Sequence, residues 1–187
     1  MAISKKLDIQ KNIDSVKTWA AEVDILIKLR GHPNIITIVN HYFEPQNGIA
    51  VITTEDEEAN DLSKEIRARA IAQDPFTEDQ IWLVMAQASH ALYTAHSKNI
   101  YHHDLGPKSI LYKKENNHIK VCDFINPKVS FPCYSEPSGK EPYQCPEIKG
   151  DEIKDAAKCD VWSIGAIGFE LVSGEPPASL LKQPESK

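Results

Sequence analysis

No run of apolar residues in this 187-residue sequence approaches the roughly 20 that an α-helix needs to cross a bilayer, so no helical membrane span is expected. Nor does the opening MAISKKLDIQKN hold the uninterrupted apolar stretch of a secretory signal. Positive charge is in deficit: 21 Lys and Arg face 27 Asp and Glu, a net charge of −6. That balance gives no electrostatic reason to expect nucleic acid or an anionic membrane as partner. Internal repeats, low-complexity tracts and obvious linkers are absent, as are an EF-hand loop and a basic helix of the calmodulin-target kind. The four cysteines, Cys122, Cys133, Cys145 and Cys159, lack the close spacing of metal-binding pairs and stand singly among apolar or loop residues. Reduced thiols in a soluble cytoplasmic protein are the expectation that follows. With 41% hydrophobic residues the chain can bury one real core but hardly two full domains.

What is present is a short strand-rich part followed by helices. The opening residues read as a strand. From Asp14 to Arg30, Val16, Trp19, Ala20, Val23 and Ile27 fall at helical spacing, and Gly31 with His32-Pro33 ends that helix. Ile35 to Phe43 and Ile49 to Thr54 read as strands around the turn Pro45-Gln46-Asn47-Gly48. A short helix is expected over Leu62 to Ile71. Thr77-Glu78-Asp79-Gln80 matches a capping box, and Ile81, Val84, Met85, Ala88, Leu92 and Ala95 form the stripe that the following helix should bury. Ile110 to Tyr112 and Ile119 to Cys122 read as a hairpin turning at Glu115-Asn116-Asn117. Val161 to Val172 is apolar almost all round, so it is expected as a central helix. Strands first and helices after give an α+β class with segregated layers.

The residues with chemistry fall in order along the helical half. Tyr101-His102-His103-Asp104-Leu105 lies in a loop after the long helix, and Asp123-Phe124 ends a strand. Cys145-Pro146-Glu147 then precedes Asp160-Val161-Trp162-Ser163-Ile164-Gly165. An aspartate alone usually caps a turn; four such segments in this order carry more. They resemble the His-Arg-Asp, Asp-Phe-Gly and Ala-Pro-Glu motifs and the central helix start of a eukaryotic protein kinase domain. Gly31-His32-Pro33-Asn34-Ile35 and Leu171-Val172-Ser173-Gly174-Glu175-Pro176-Pro177 look most similar to the calmodulin-dependent and calcium-dependent serine/threonine kinase group.

The resemblance implies a small N-lobe sheet and hinge over residues 1–57, a helical C-lobe over 58–187, and ATP with Mg²⁺ as cofactors. In such a domain Asp104 would orient the substrate hydroxyl and accept its proton, Asp123 would hold Mg²⁺, and Glu22 would be the glutamate of the N-lobe helix. Glu55 to Glu57 would form the hinge that meets adenine, behind Thr54 as gatekeeper. The implied partner is a protein substrate or binding partner.

The match is degenerate. His103 replaces the loop arginine, Gly106 the loop lysine that contacts the transferred phosphate, Ser109 the asparagine that binds a second Mg²⁺, and Ile125 the glycine of Asp-Phe-Gly. Serine remains a possible Mg²⁺ ligand with shorter reach. Lys140 stands where a threonine is usual, as a surface lysine or as a charge returned beside Asp104. For the phosphate-binding lysine, Ser4 takes the aligned position; Lys5 would need a one-residue register shift, and a lysine upstream of Met1 is the third option. Ser130, Tyr134, Ser135 and Ser138 fall in the activation-loop equivalent. The Gly-rich loop would lie before the first strand, and the cation expected to pair with Glu147 beyond Pro177. Three readings stay open: a working kinase, a kinase-shaped binding module, or a piece of a longer kinase.

Overall fold

The computed structural model describes residues 2–8, 13–44, 46–55, 59–124, 141–149 and 155–177. Two three-stranded antiparallel sheets and four α-helices form the described part, in the α+β order expected. The first sheet takes β1 (Ala2–Asp8), β2 (Ile38–Glu44) and β3 (Ile49–Glu55) in the order β1-β3-β2. Helix α1 (Ile13–Lys28) links β1 to β2. It lays Val23 and Leu26 against Ile36, Ile38 and Ile52 in a small core, with Trp19 partly buried beside them. The Trp19 indole finds its partner in the Val51 carbonyl at 3.3 Å, as a half-buried indole N–H should.

Strand β2 starts later than the expected Ile35. Residues 34–36 are drawn to the second sheet instead: Val121 N donates to Asn34 O at 2.9 Å and Ile36 N to Val121 O at 3.0 Å, leaving Ile35 a lone parallel bridge. Asn34 strengthens that tie, donating through Nδ2 to Ile119 O and Gln87 Oε1. The second sheet, β4 (Asn60–Asp61), β5 (Ile110–Lys113) and β6 (His118–Val121), is thereby fastened to the segment between α1 and β2.

Below it lie α2 (Leu62–Ala72), α3 (Glu78–His96) and α4 (Ala156–Ser173). The capping box forms as its spelling requires, with Gln80 N donating to Thr77 Oγ1 and Thr77 N to Gln80 Oε1. Val84, Ala88, Ala91, Leu92 and Ala95 of α3 enter the main core with Leu62, Ile66, Ile110, Ile119, Ile164, Ile167 and Leu171. Each of the Val, Leu and Ile side chains contributes about 1.5–3 kcal/mol on burial, the alanines less. Helices α3 and α4 pack closely where Gly168 meets Met85: a Cβ at Gly168 would stand 3.0 Å from Met85 Sδ and Cε.

Helix α4 begins five residues before the expected Val161, because Asp155 caps it by accepting from Lys158 N. It is less enclosed than its all-round apolarity implies, with Val161 61%, Trp162 45% and Val172 70% exposed. The cysteine expectation needs a sharper correction. Cys145 and Cys159 are joined in a disulfide, Cα to Cα 5.1 Å. The turn carrying Cys145 lies against the first turns of α4, and fourteen residues of sequence separation do not reveal that meeting.

Candidate active site

One buried ring organises the site. His102 is fully buried; its Nδ1 accepts from Asp104 N at 3.3 Å and its Nε2 donates to the carbonyl of Cys122 at 2.8 Å. It therefore links the loop bearing Asp104 to the end of β6, one residue before Asp123. Phe124, 1% exposed, packs on the same ring with centroids 4.8 Å apart. The two bonds require the neutral, Nε2-protonated imidazole. Burial lowers the His102 pKa, against the pull of Asp160, the Cys122 carbonyl, Asp104 and Asp123. Asp104 donates its own N–H to this ring and Asp123 follows the carbonyl that the ring bonds, so both acids stand next to groups tied to His102.

Asp160 of α4 fixes the loop from below. Its Oδ2 accepts from His102 N and from His96 Nε2, each at 2.8 Å, and its Oδ1 from His103 N at 2.9 Å. Burial alone would raise its pKa; the histidine and amide hydrogen bonds outweigh that and hold it below the usual carboxylate range. His103 and Asp123 adopt left-handed backbone, φ 64° and 60°, uncommon for non-glycine residues though His and Asp enter it more readily than most. Asp104 is half-buried and Asp123 exposed.

Other expected residues are placed differently. Ser109 is 1% exposed, and its hydroxyl accepts from Gly106 N at 3.0 Å while donating to Gly106 O at 2.9 Å. It is a strut of the loop. Of the two expected metal ligands, Asp123 presents an exposed carboxylate and Ser109 a buried hydroxyl already engaged by Gly106. Gly106 lies under the ring of Tyr143, where a Cβ would sit 3.4 Å from Cδ2. The Tyr143 hydroxyl donates to Glu170 of α4, and burial pushes both groups up, the phenol far above its ordinary value. At φ −163° the Gly106 backbone suits any residue. Gly106→Ala is accordingly expected to stabilise the chain by about 0.4–1 kcal/mol, read from the denaturation midpoint.

In the first sheet Ser4 pairs with Thr53 and Lys5 with Ile52. Directly paired residues of an antiparallel ladder share a face. Ile52 is buried among Val23 and Leu26 of α1, the helix that carries Glu22. Glu22 is half-buried, three residues after Trp19 and one turn before Leu26. Thr54, also half-buried, pairs with Ile3 and Ile38. Glu55 accepts from Thr37 N at 2.6 Å and from Lys120 Nζ at 2.9 Å. This contact joins the end of β3 to β6 across 65 residues, a separation at which no local pattern signals it. Glu57, Ile125, Lys140 and the four hydroxyl residues of the 130–138 loop lie outside the described residues.

A family model described as "Protein kinase domain" matches residues 1–187. The chain belongs to the protein kinase family. Among curated kinases it is 30% identical over 171 residues to "Ribosomal protein S6 kinase alpha-6" of Mus musculus, covering 84% of this chain and 20% of that protein. To "Calcium-dependent protein kinase 5" of Plasmodium falciparum (isolate 3D7) it is 30% identical over 177 residues, covering 92% and 29%. With "Mitogen-activated protein kinase 10" of Oryza sativa subsp. japonica it shares 31% over 187 residues, covering 94% and 29%. The chain thus spans at most three tenths of the length of these relatives. No described helix is long and apolar enough to cross a membrane.

Three histidines, His32, His102 and His103, make folding sensitive to mild acid. Burial is the leading cause that lowers His32, His102 and His103. The unfolded chain then binds more protons at these three positions than the folded one, so stability rises with pH. The contribution is complete above the unfolded histidine value, about 6.5, and is lost as pH falls below it. Glu170 has the opposite sign, since burial raises it, but it is one group against three. The urea midpoint is expected to drop between pH 7.5 and 5.5; a level profile contradicts this account.

Proposed function

We propose that the chain is a serine/threonine-type protein kinase domain that binds Mg-ATP and a protein partner, with phosphoryl transfer strongly reduced. Mg-ATP supplies the phosphoryl group and its metal. For this chain Asp123 is the metal-facing acid, Lys5 the candidate for the phosphates beside Glu22, and Thr54 with Glu55 the approach to the adenine hinge. Asp104 would orient the hydroxyl of a bound substrate. The observation that carries the reduced rate is the pairing of Ser109, its hydroxyl spent on Gly106, with Gly106 beneath Tyr143. Neither position offers a charge or a ligand to a phosphate.

Losing one positioned electrostatic group commonly costs about 10²–10³ in rate, and two such groups are missing here. Mg-ATP is expected to raise the melting temperature, because a ligand of the native state stabilises it. Lys5→Met or Asp123→Asn should remove that shift, whereas Asp104→Asn should leave it intact. Transfer from γ-labelled ATP to a generic protein substrate should run at least about 100-fold below the 1–100 s⁻¹ typical of kinases. The reading of a working kinase is favoured by His102 bonding both Asp104 N and the Cys122 carbonyl that precedes Asp123. Transfer at an ordinary rate, lost in Asp104→Asn, would establish that reading and end the one proposed.

A further inference from the structure

The disulfide between Cys145 and Cys159 lies beside the candidate catalytic loop. Both residues are buried, and they line one small crevice with His103, Asp104, Tyr143 and Ser163. Cys159 directly precedes Asp160, the residue that holds His102 N and His103 N. Cys145 ends the turn whose Tyr143 covers Gly106. Two further bonds join that turn to α4: Tyr143 to Glu170, and Ser163 Oγ to Tyr143 O at 2.8 Å. The disulfide is the covalent member of this set.

We propose that Cys145 and Cys159 form a reversible redox site which clamps the turn at 141–147 to α4 when oxidised and loosens it when reduced. The oxidant class is a low-molecular-weight disulfide such as oxidised glutathione. One cysteine thiolate attacks its sulfur and releases one molecule of glutathione as thiol, leaving a mixed disulfide. The second cysteine then attacks the mixed disulfide at the protein sulfur and expels the second glutathione. Two protein thiols become one S–S bond, and their two hydrogens and two electrons leave on two molecules of reduced glutathione.

A carboxylate oxygen of Glu147 lies within 4.8 Å of both sulfurs. A negative charge there disfavours the thiolate form, and with the reduced state less stabilised the bonded state gains. The same three groups would supply two sulfurs and one oxygen to zinc in the reduced chain, so zinc is the competitor to be tested.

The experiment uses the full chain with Cys122→Ser and Cys133→Ser, equilibrated in glutathione buffers from fully reduced to fully oxidised, with and without added zinc. Expected are a mass loss of about 2 Da and a cross-linked peptide pair holding Cys145 and Cys159 in the oxidised buffers. Amide exchange over 141–147 should be at least about tenfold slower in the oxidised protein, as expected when local opening is restrained. Adding Cys145→Ser should make both readouts insensitive to the buffer. Should that variant fail to fold, the comparison of oxidised with reduced protein still decides. The proposal is overturned if both thiols persist in oxidised glutathione, if exchange over 141–147 is the same in both states, or if zinc holds the thiols reduced against the oxidant.

Discussion

Asp160→Ala is expected to lower the stability of the fold by about 3–5 kcal/mol, the range for removing one partner from a buried charged pair. Three donors meet that carboxylate: His96 Nε2, His102 N and His103 N, at 2.8, 2.8 and 2.9 Å. Asp160 is 1% exposed, so water has no direct access to replace it. Asn is a poor substitute, since its amide group would turn a donor toward a donor at one of the two oxygen positions. A domain of this size has about 5–15 kcal/mol in hand, so the alanine variant should be close to unfolding at 37 °C. The measurement is the urea midpoint with an unchanged slope, which separates stability from a change in the unfolded chain. A loss under about 1 kcal/mol would mean that the loop is held by something other than this acid.

The importance of Asp160 was visible in the sequence only as part of a pattern. Its place in Asp160-Val161-Trp162-Ser163-Ile164-Gly165 marks a helix start, but the two amides it holds are 58 and 57 residues away. Local signals carried well. The capping box at Thr77 and Gln80, the turn at 115–117 and the apolar stripe of α3 all rest on neighbours within a few residues, where spacing encodes geometry. Apolar spacing starts helix α4 only at Val161, because Ala156-Ala157-Lys158-Cys159 has no apolar period, and its start is signalled by the cap at Asp155 instead. What failed was long-range. The Cys145–Cys159 bond, the Glu55–Lys120 pair and the diversion of Ile35 to Val121 each join segments whose meeting is set by the packing of whole elements.

Phe124→Ala is the change expected to damage fold and site together. Phe124 is 1% exposed, belongs to the main core, and lies 4.8 Å from the His102 ring. Emptying such a position costs about 3–5 kcal/mol in lost transfer free energy and residual cavity. The consequence for Asp123 comes from chain geometry. With φ at 60°, Asp123 sits in left-handed backbone, uncommon for any residue but glycine, between two neighbours that are fixed. On one side Cys122 O is fixed by His102 Nε2 and Cys122 N by Ser109 O. On the other, Phe124 is held by burial. Without the ring, Asp123 should relax toward ordinary backbone and carry its carboxylate away from the point around which Asp104 also lies. Phe124→Leu keeps much of the apolar volume and should lose less, about 1–1.5 kcal/mol. The two variants therefore separate packing from positioning. In the leucine variant a melting shift with Mg-ATP should persist. In the alanine variant it should disappear even at a temperature where circular dichroism shows the chain still folded. If the alanine variant keeps the full shift, the orientation of Asp123 does not depend on the buried ring, and the link drawn between core and site through His102 fails.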